Sequence, residues 1–329
     1  MAQHITLAAF LVQHLQGEHR IALIKMLGDI AEACKKIAGA VDRGALAGNM
    51  GSLAAENVQG EVQKALDVIS NDIFIECTQQ SGYVAGMVSE ELDDAVEIAE
   101  KHHIIGQYLL LFDPLDGSSN VNVNISVGTI FSILKSANKT TALADFLQPG
   151  SAQICAGYAL YGTSTMLVLT AGDGVNGFTL DAGSGEFYLT HPDMQIAAET
   201  QEFAINMSNY RFWQKPVQRY IDECLQGEAG LRKKDFNMRW VASMVAEVHR
   251  ILVRGGVFMY PADAKSANGK LRLMYEANPM SFIVEQAGGA ATTGVQRILE
   301  VTPSGIHQRV PVMMGSKSEI EKLVAYHQG

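Results

Sequence analysis

The sequence predicts a layered α/β protein, and three observations carry that expectation. Two long stretches near the N-terminus repeat apolar residues at helical spacing. Residues 154–190 break into short β runs, and a second set of helices and strands follows residue 201. With 329 residues, 47% hydrophobic and 18% charged, the chain has an ordinary globular composition. Its length suggests two domains or one large two-lobed one.

Each element follows from local pattern. The N-terminal ITLAAFLV lacks a basic leader and runs into Gln13, His14 and Gln16, so it reads as a helix and not a signal peptide. Apolar residues at 21, 24, 27, 30, 34, 37 and 41 mark a long amphipathic helix. A second is expected over 57–77, with Val58, Val62, Leu66, Ile69, Ile73 and Cys77 along one face. YVAGMVS (83–89) is a strand ending at Glu90-Glu91, and YLLLF (108–112) a short buried strand. VNVNISV (121–127) reads as an alternating strand with Val121, Val123, Ile125 and Val127 on one face. Between the last two, LFDPLDGSSN (111–120) puts Asp113 and Asp116 at a strand end, with Gly117-Ser118-Ser119 as a sharp turn.

ICAGYALYG, TMLVLTAG, GVNGFTLDAGSG and EFYLT are separated by Gly/Asp turns typical of antiparallel hairpins. HPDMQIAAETQ (191–201) is the least patterned stretch, which divides the chain into an N-terminal lobe, 1–195, and a C-terminal lobe, 196–329. Helices are expected near 213–226 and 241–254, a strand at GVFMY, and a helix opened by Asn278-Pro279 as cap and first residue.

Composition narrows the function classes. No apolar run approaches the roughly 18 residues that span a bilayer. Cys34, Cys77, Cys155 and Cys224 are far apart with no C-x-x-C pair, so a disulfide framework is not expected and a reducing cytoplasm is. Nine histidines show no zinc spacing, and His102-His103 reads as a surface loop. A net charge of −10 argues against nucleic-acid and anionic-membrane partners. Residues 65–134 hold eleven Asp/Glu against one Lys, whereas 211–272 hold twelve Lys/Arg against six Asp/Glu. One half supplies carboxylates for cations, the other cations for an anionic substrate.

The acidic residues at element ends are Asp67, Asp72, Glu90, Glu91, Asp113, Asp116 and Glu276. Taken singly, Glu90-Glu91 is a solvated strand end, Lys270 and Arg272 are surface residues, Arg232-Lys233-Lys234 is a solvated loop, and Met244 and Met274 are packing. Taken together, the carboxylates suit hard cations such as Mg²⁺, which prefer oxygen ligands and leave positions for phosphate. Paired ions clamp both attacking and leaving oxygens in phosphoryl transfer. Consecutive backbone N–H groups over Asp116-Gly117-Ser118-Ser119 offer an anion-binding nest beside them. Asp67 and Asp72 lie roughly 140° apart on a regular helix, which predicts different roles for the two.

LFDPLDGSSN with an upstream SEE and a downstream EQAGG resembles the lithium-sensitive, metal-dependent sugar and inositol phosphatase superfamily. ENVQGEVQKALDVISND, SVGTIFSI, AGYALYGTSTMLVL, SMVAEVHRILVRGG, NGKLRLMYEANPM and IHQRVPVMMGS extend the likeness along nearly the whole chain, to class I fructose-1,6-bisphosphatases. The resemblance implies a layered α/β/α/β/α sandwich with mixed and antiparallel sheets in two lobes, assembled as a homotetramer. It implies a phosphoric monoester hydrolase of gluconeogenesis, which removes the 1-phosphate of D-fructose 1,6-bisphosphate to give fructose 6-phosphate.

It further implies metal ligands at Asp67, Glu90, Asp113, Asp116 and Glu276 with the Leu115 carbonyl, for Mg²⁺ with Mn²⁺ or Zn²⁺ as alternatives. Glu91 and Asp72 match the pair that activates water, and the turn Asp116, Gly117, Ser118 and Ser119 meets the 1-phosphate. Lys270 matches a lysine that touches substrate, and Met244 lies against the sugar. Tyr260, Asn206 and Arg239 match the 6-phosphate pocket, the arginine reaching in from a neighbouring subunit. Trp240 and Asn209 stand where animal members have tyrosines, which leaves room for sedoheptulose-1,7-bisphosphate. Ile24 and Gln107 replace a threonine and a lysine of the family's AMP pocket, while Tyr108 remains and Lys135 stands near an arginine position, so weak AMP inhibition is expected. The rivals are a sedoheptulose-1,7-bisphosphatase or dual-substrate sugar bisphosphatase, an inositol monophosphatase, which would leave the basic segment unused, and a silent sugar-phosphate binder, which has no need of a water-activating pair.

Overall fold

The computed structural model describes residues 5–47, 52–56, 62–98, 107–136 and 142–329; Val58 and His102-His103 lie outside them. Helices α1 (Leu7–His14), α2 (Arg20–Arg43) and α3 (Ala65–Thr78) form the first layer. Thr6 starts α1, its hydroxyl accepting from the Ala9 N–H at 3.2 Å. The helical spacing in α2 buries Leu27, Ile30, Cys34 and Ile37, while Ile21 stays 67% exposed at the first turn.

The second helix does not span 57–77. Strands β1 (Ser52–Glu56) and β2 (Val62–Lys64) pair antiparallel, and α3 begins only at Ala65. Asp67 sets that start, because its Oδ2 accepts from the Lys64 N–H at 2.9 Å. Leu66, Ser70, Phe74 and Thr78 form its buried face, and Ile69, Ile73 and Cys77 are half-buried. Two buried polar residues of α3 are bonded: Thr78 Oγ1 donates to the Phe74 carbonyl at 2.7 Å, and Ser89 Oγ on the sheet donates to Asn71 Oδ1 at 2.7 Å.

The second layer is an eight-stranded sheet of β3 (Val84–Ser89), β4 (Val96–Glu97), β5 (Tyr108–Asp116), β6 (Val127–Lys135), β7 (Cys155–Tyr161), β8 (Thr165–Thr170), β9 (Asn176–Asp181) and β10 (Glu186–His191). Its order is β10-β9-β8-β7-β6-β5-β3-β4, parallel only between β3 and β5. A short helix α4 (Leu143–Phe146) joins β6 to β7. The alternation of VNVNISV does not make a strand. Ser118–Val123 is a 3₁₀ turn, Asn124 is left-handed at φ 58°, and Val123 and Ile125 are 63% and 44% exposed. The cause is topological: β5 runs to Asp116 and must reverse to pair antiparallel with β6 at Asp116↔Gly128, so these residues are the connection.

The remaining layers follow residue 201. A five-stranded sheet contains β11 (Glu202–Ala204), β12 (Asn237–Met238), β13 (Val257–Tyr260), β15 (Ala290–Thr292) and β17 (Val312–Gly315), in the order β12-β11-β13-β17-β15. β14 (Leu271–Arg272) and β16 (Arg309–Val310) pair beside it. Helices α6 (Met244–Arg254) and α7 (Asn278–Gln286) lie between the two sheets, in one core with Ile130, Tyr158, Phe258 and Met314. Helices α5 (Lys215–Leu225) and α8 (Lys317–Gln328) cover the outer face of the second sheet, with Tyr220, Ile221, Ile320 and Leu323 packed on Phe203 and Met313. The result is an α/β/α/β/α sandwich.

Two local expectations are corrected. Asn278 does not cap α7, since the chain enters through a π-helical turn, Leu273–Ala277, and the preceding residue is already helical. Arg232 is not solvated: its side chain is 5% exposed, 2.5 Å from a Glu319 that is 3% exposed, with its guanidinium 4.7 Å from the Phe236 ring.

Candidate active site

The parallel pairing of β3 with β5 brings their C-terminal ends side by side, with the Glu90 N–H donating to the Phe112 carbonyl at 3.1 Å. Glu90-Glu91 and Asp113-x-x-Asp116 thus open on one edge, the usual ligand position for parallel strands. The π-helical turn between β14 and α7 adds Glu276, an irregularity frequent at functional sites. Ligand oxygens of Asp113, Asp116 and Glu276, all buried, lie within 4.8 Å of one another.

Each carboxylate is held by a specific donor. Asp113 Oδ1 accepts from the Leu115 N–H at 2.9 Å. Asp116 Oδ2 accepts from the Val245 N–H at 2.9 Å and the Ser243 hydroxyl at 3.2 Å, which places it at the N-terminal end of α6. Glu276 Oε2 accepts from the Arg272 N–H at 2.5 Å, and the Arg272 guanidinium lies 2.9 Å from Glu90.

Burial, then Glu90 and the other crowded carboxylates, push Asp113 and Glu276 well above the usual carboxylate range. Burial raises Asp116 to about 6 against the pull of its α6 donors. Burial also raises Asp67 to about 6, with the Lys64 N–H opposing and Glu91 adding to the rise; its buried Oδ1 has no hydrogen-bond partner. Such crowding of buried acids fits cations: the ligands are hard oxygens and the cluster is short of positive charge.

These residues line a cleft of about 200 Å³. One wall has Asp67, Glu90, Glu91, Asp113, Leu115, Asp116 and the turn Gly117-Ser118-Ser119; the other has Trp240, Ala242, Ser243, Met244, Phe258, Tyr260, Leu271, Arg272 and Glu276. Gly117 is required there, because at φ 78° an added Cβ would lie 2.8 Å from Ser243 Cβ. Trp240 stacks on Phe258 with centroids 6.2 Å apart and leans on Tyr260 at 5.9 Å. Trp240 and Tyr260 also border a narrow adjoining cavity with Asn206 and Asn209, and Lys270 Nζ lies 5.8 Å from the Tyr260 ring centroid.

Two residues singled out in the sequence stand apart. Asp72 lies on the exposed face of α3 and does not line the cleft, because five helical residues turn it away from Asp67. Arg239 is half-exposed and points to Glu202 at 3.9 Å.

Sequence reasoning missed Arg272, Ser243, Ala242 and Asn120. Arg272, which reads as a surface residue, is buried among the acids. Ser243 precedes α6 without capping it by its side chain, and its hydroxyl goes to Asp116. Asn120 Nδ2 donates to the Val241 carbonyl at 3.1 Å and fixes the bend at Ala242, whose φ is 61°. No local signal marks either.

The family described as "Fructose-1-6-bisphosphatase, N-terminal domain" matches residues 5–192, and "Fructose-1-6-bisphosphatase, C-terminal domain" matches 196–328. A fructose-1,6-bisphosphatase class 1 of Methylobacillus flagellatus is 62% identical over 327 residues, 98% of each chain. Among solved structures, fructose-1,6-bisphosphatase of Leishmania major in holo form superposes with a TM-score of 0.93 at 37% identity, covering 99% of this chain and 100% of that one. The apo form of the same protein gives 0.88 at 36% identity, with the same coverage.

Proposed function

The chain belongs to the fructose-1,6-bisphosphatase family, and from that premise we propose how its residues divide the work. It is a metal-dependent phosphatase that hydrolyses the 1-phosphate of D-fructose 1,6-bisphosphate to fructose 6-phosphate and phosphate. The observation that carries the assignment of roles is the trio Asp113, Asp116 and Glu276, buried and within 4.8 Å of one another beside a glycine turn.

Asp113, Asp116 and Glu276, with Glu90 and the Leu115 carbonyl, are the residues to hold Mg²⁺; Asp67, one of whose oxygens is taken by the Lys64 N–H, is left for proton transfer in place of the metal role expected of it. Cations held there would supply positive charge to the phosphate and to the departing sugar oxygen. The turn at Gly117, Ser118 and Ser119 orients the 1-phosphate with its backbone N–H groups. Glu91 and Asp67 take the proton from the attacking water. Their mutual repulsion and the unpartnered Asp67 oxygen favour this pair over one containing the exposed Asp72. Met244 packs against the sugar. Tyr260, Asn206, Asn209 and Lys270 receive the 6-phosphate, and a homotetramer brings Arg239 from a neighbouring subunit. The four cysteines form no disulfide, which supports the cytoplasm as its setting.

The test is phosphate release from fructose 1,6-bisphosphate with Mg²⁺, with EDTA, and in parallel from sedoheptulose 1,7-bisphosphate. Release abolished by EDTA and faster from the fructose ester is expected, and Glu91→Gln or Asp116→Ala should lower turnover by about 100-fold or more. A variant with near-normal turnover would remove that residue from the mechanism. Faster release from the heptulose ester would reassign the pocket around Trp240 and Asn209.

A further inference from the structure

The register of β5 on β6 shifts within the carboxylate strand end. Asp113 faces Ile130 and Asp116 faces Gly128, so three steps on one strand meet two on the other. The extra residue makes a bulge at Pro114-Leu115. Proline brings no N–H to a ladder, and a bulge removes its carbonyl from regular pairing. Thr129, fully buried on β6, donates its hydroxyl to that carbonyl at 2.8 Å. A buried hydroxyl in an apolar strand is costly unless it is bonded, and here the bond falls at the bulge.

A second hydroxyl directs the first. Tyr161 Oη, buried on β7, lies 2.8 Å from Thr129 Oγ1. Thr129 has one proton and spends it on Pro114, so Tyr161 is the donor in the pair. On the other side of the same peptide unit, the Leu115 N–H donates to Asp113 Oδ1 at 2.9 Å. Hydrogen bonds therefore run unbroken from Tyr161 through Thr129 and the 114–115 peptide to the Asp113 carboxylate, which also meets the Glu90 side chain. In such a chain each bond polarises the next.

We propose that Thr129, itself directed by Tyr161, is a positioning residue that fixes the 114–115 peptide and through it aims the Asp113 carboxylate and the Leu115 carbonyl for metal binding. The proposal rests on the metal-site reading above. Outer partners of this kind set ligand orientation, and losing one weakens metal affinity by about 10- to 100-fold.

The test is Mn²⁺ affinity of the full chain without substrate, measured by calorimetry and by the electron paramagnetic resonance signal of free Mn²⁺. Thr129→Val keeps the shape and removes the hydroxyl, and it should weaken binding by about tenfold. Thr129→Ser should bind as the unaltered protein does. Tyr161→Phe leaves Thr129 undirected and should weaken binding by less than Thr129→Val. A folded Thr129→Val protein with unaltered Mn²⁺ affinity overturns the proposal. If that variant does not fold, Tyr161→Phe decides: weaker binding supports the proposal and unchanged binding overturns it. Asp116→Ala tests the underlying reading separately, since unaltered Mn²⁺ binding there would mean that the carboxylates are not the metal site.

Discussion

Asp116 links β5 to α6 through one carboxylate, with its own strand carrying Asp113 and its oxygen held by the first turn of the helix. Burial leaves both it and Asp67 near 6, far above the ordinary aspartate range. A raised pKa means that the group holds its proton at mildly acidic pH, whereas a cation needs the ionised form. Apparent metal affinity should therefore fall as pH drops from neutral through about 6, with protons released on binding. Mn²⁺ calorimetry across that range in two buffers of different ionisation enthalpy would measure both, and a pH-independent affinity would contradict it. A second prediction concerns AMP. Lys135 Nζ lies 3.0 Å from Glu18, His19 Nδ1 lies 3.0 Å from the Tyr108 hydroxyl, and Ile24 offers no hydrogen bond. A nucleotide phosphate would have to displace Glu18. Inhibition should need AMP well above the micromolar range, and potent micromolar inhibition in the phosphate-release assay would refute this.

Elements were legible where their periodicity was set by one buried face. The 3.6-residue spacing of α2 and the turn-separated runs of β7 to β10 are of that kind. Legibility failed where a distant partner decides. VNVNISV alternates, yet β6 fixes its role as a connection. Asp67 starts α3 late by capping it, which no apolar pattern announces. The carboxylates of LFDPLDGSSN are visible in the sequence, but Arg272 among them is not, because its burial depends on the β14–β16 pair. Arg232 shows the same limit, since the Glu319 that buries it belongs to α8. That pair ties the C-terminal helix to the loop after α5, and Tyr220 donates to the same carboxylate at 2.8 Å. Removing one partner of a buried pair strands the other. Glu319→Ala should cost about 3–5 kcal/mol in urea unfolding. A loss below about 1 kcal/mol would mean that water replaces the carboxylate.

At the scale of the molecule, the acidic half supplies most of the cleft's carboxylates and the basic half faces them, with the 191–201 segment as the proposed boundary between lobes. Arg239 does not fit that division within one chain. It follows β12, is half-exposed, and shares Glu202 with Arg250 and Arg254; Arg250 lies nearer, at 2.6 Å against 3.9 Å. Its hold on Glu202 is loose enough to be exchanged for a phosphate of another copy. Arg239→Ala should then raise KM by about tenfold or more, the worth of one charged hydrogen bond, with the metal requirement unchanged. Mixing decides whether the arginine acts across a subunit boundary. Asp116→Ala chains are expected to be inactive, and Arg239→Ala chains to bind substrate poorly. In mixed oligomers, an Arg239→Ala subunit with intact carboxylates would receive Arg239 from an Asp116→Ala neighbour. Low-KM activity should reappear on co-assembly, above the sum of the separate proteins. If Arg239 serves its own chain, no mixed oligomer contains a complete site and the activity stays at that sum.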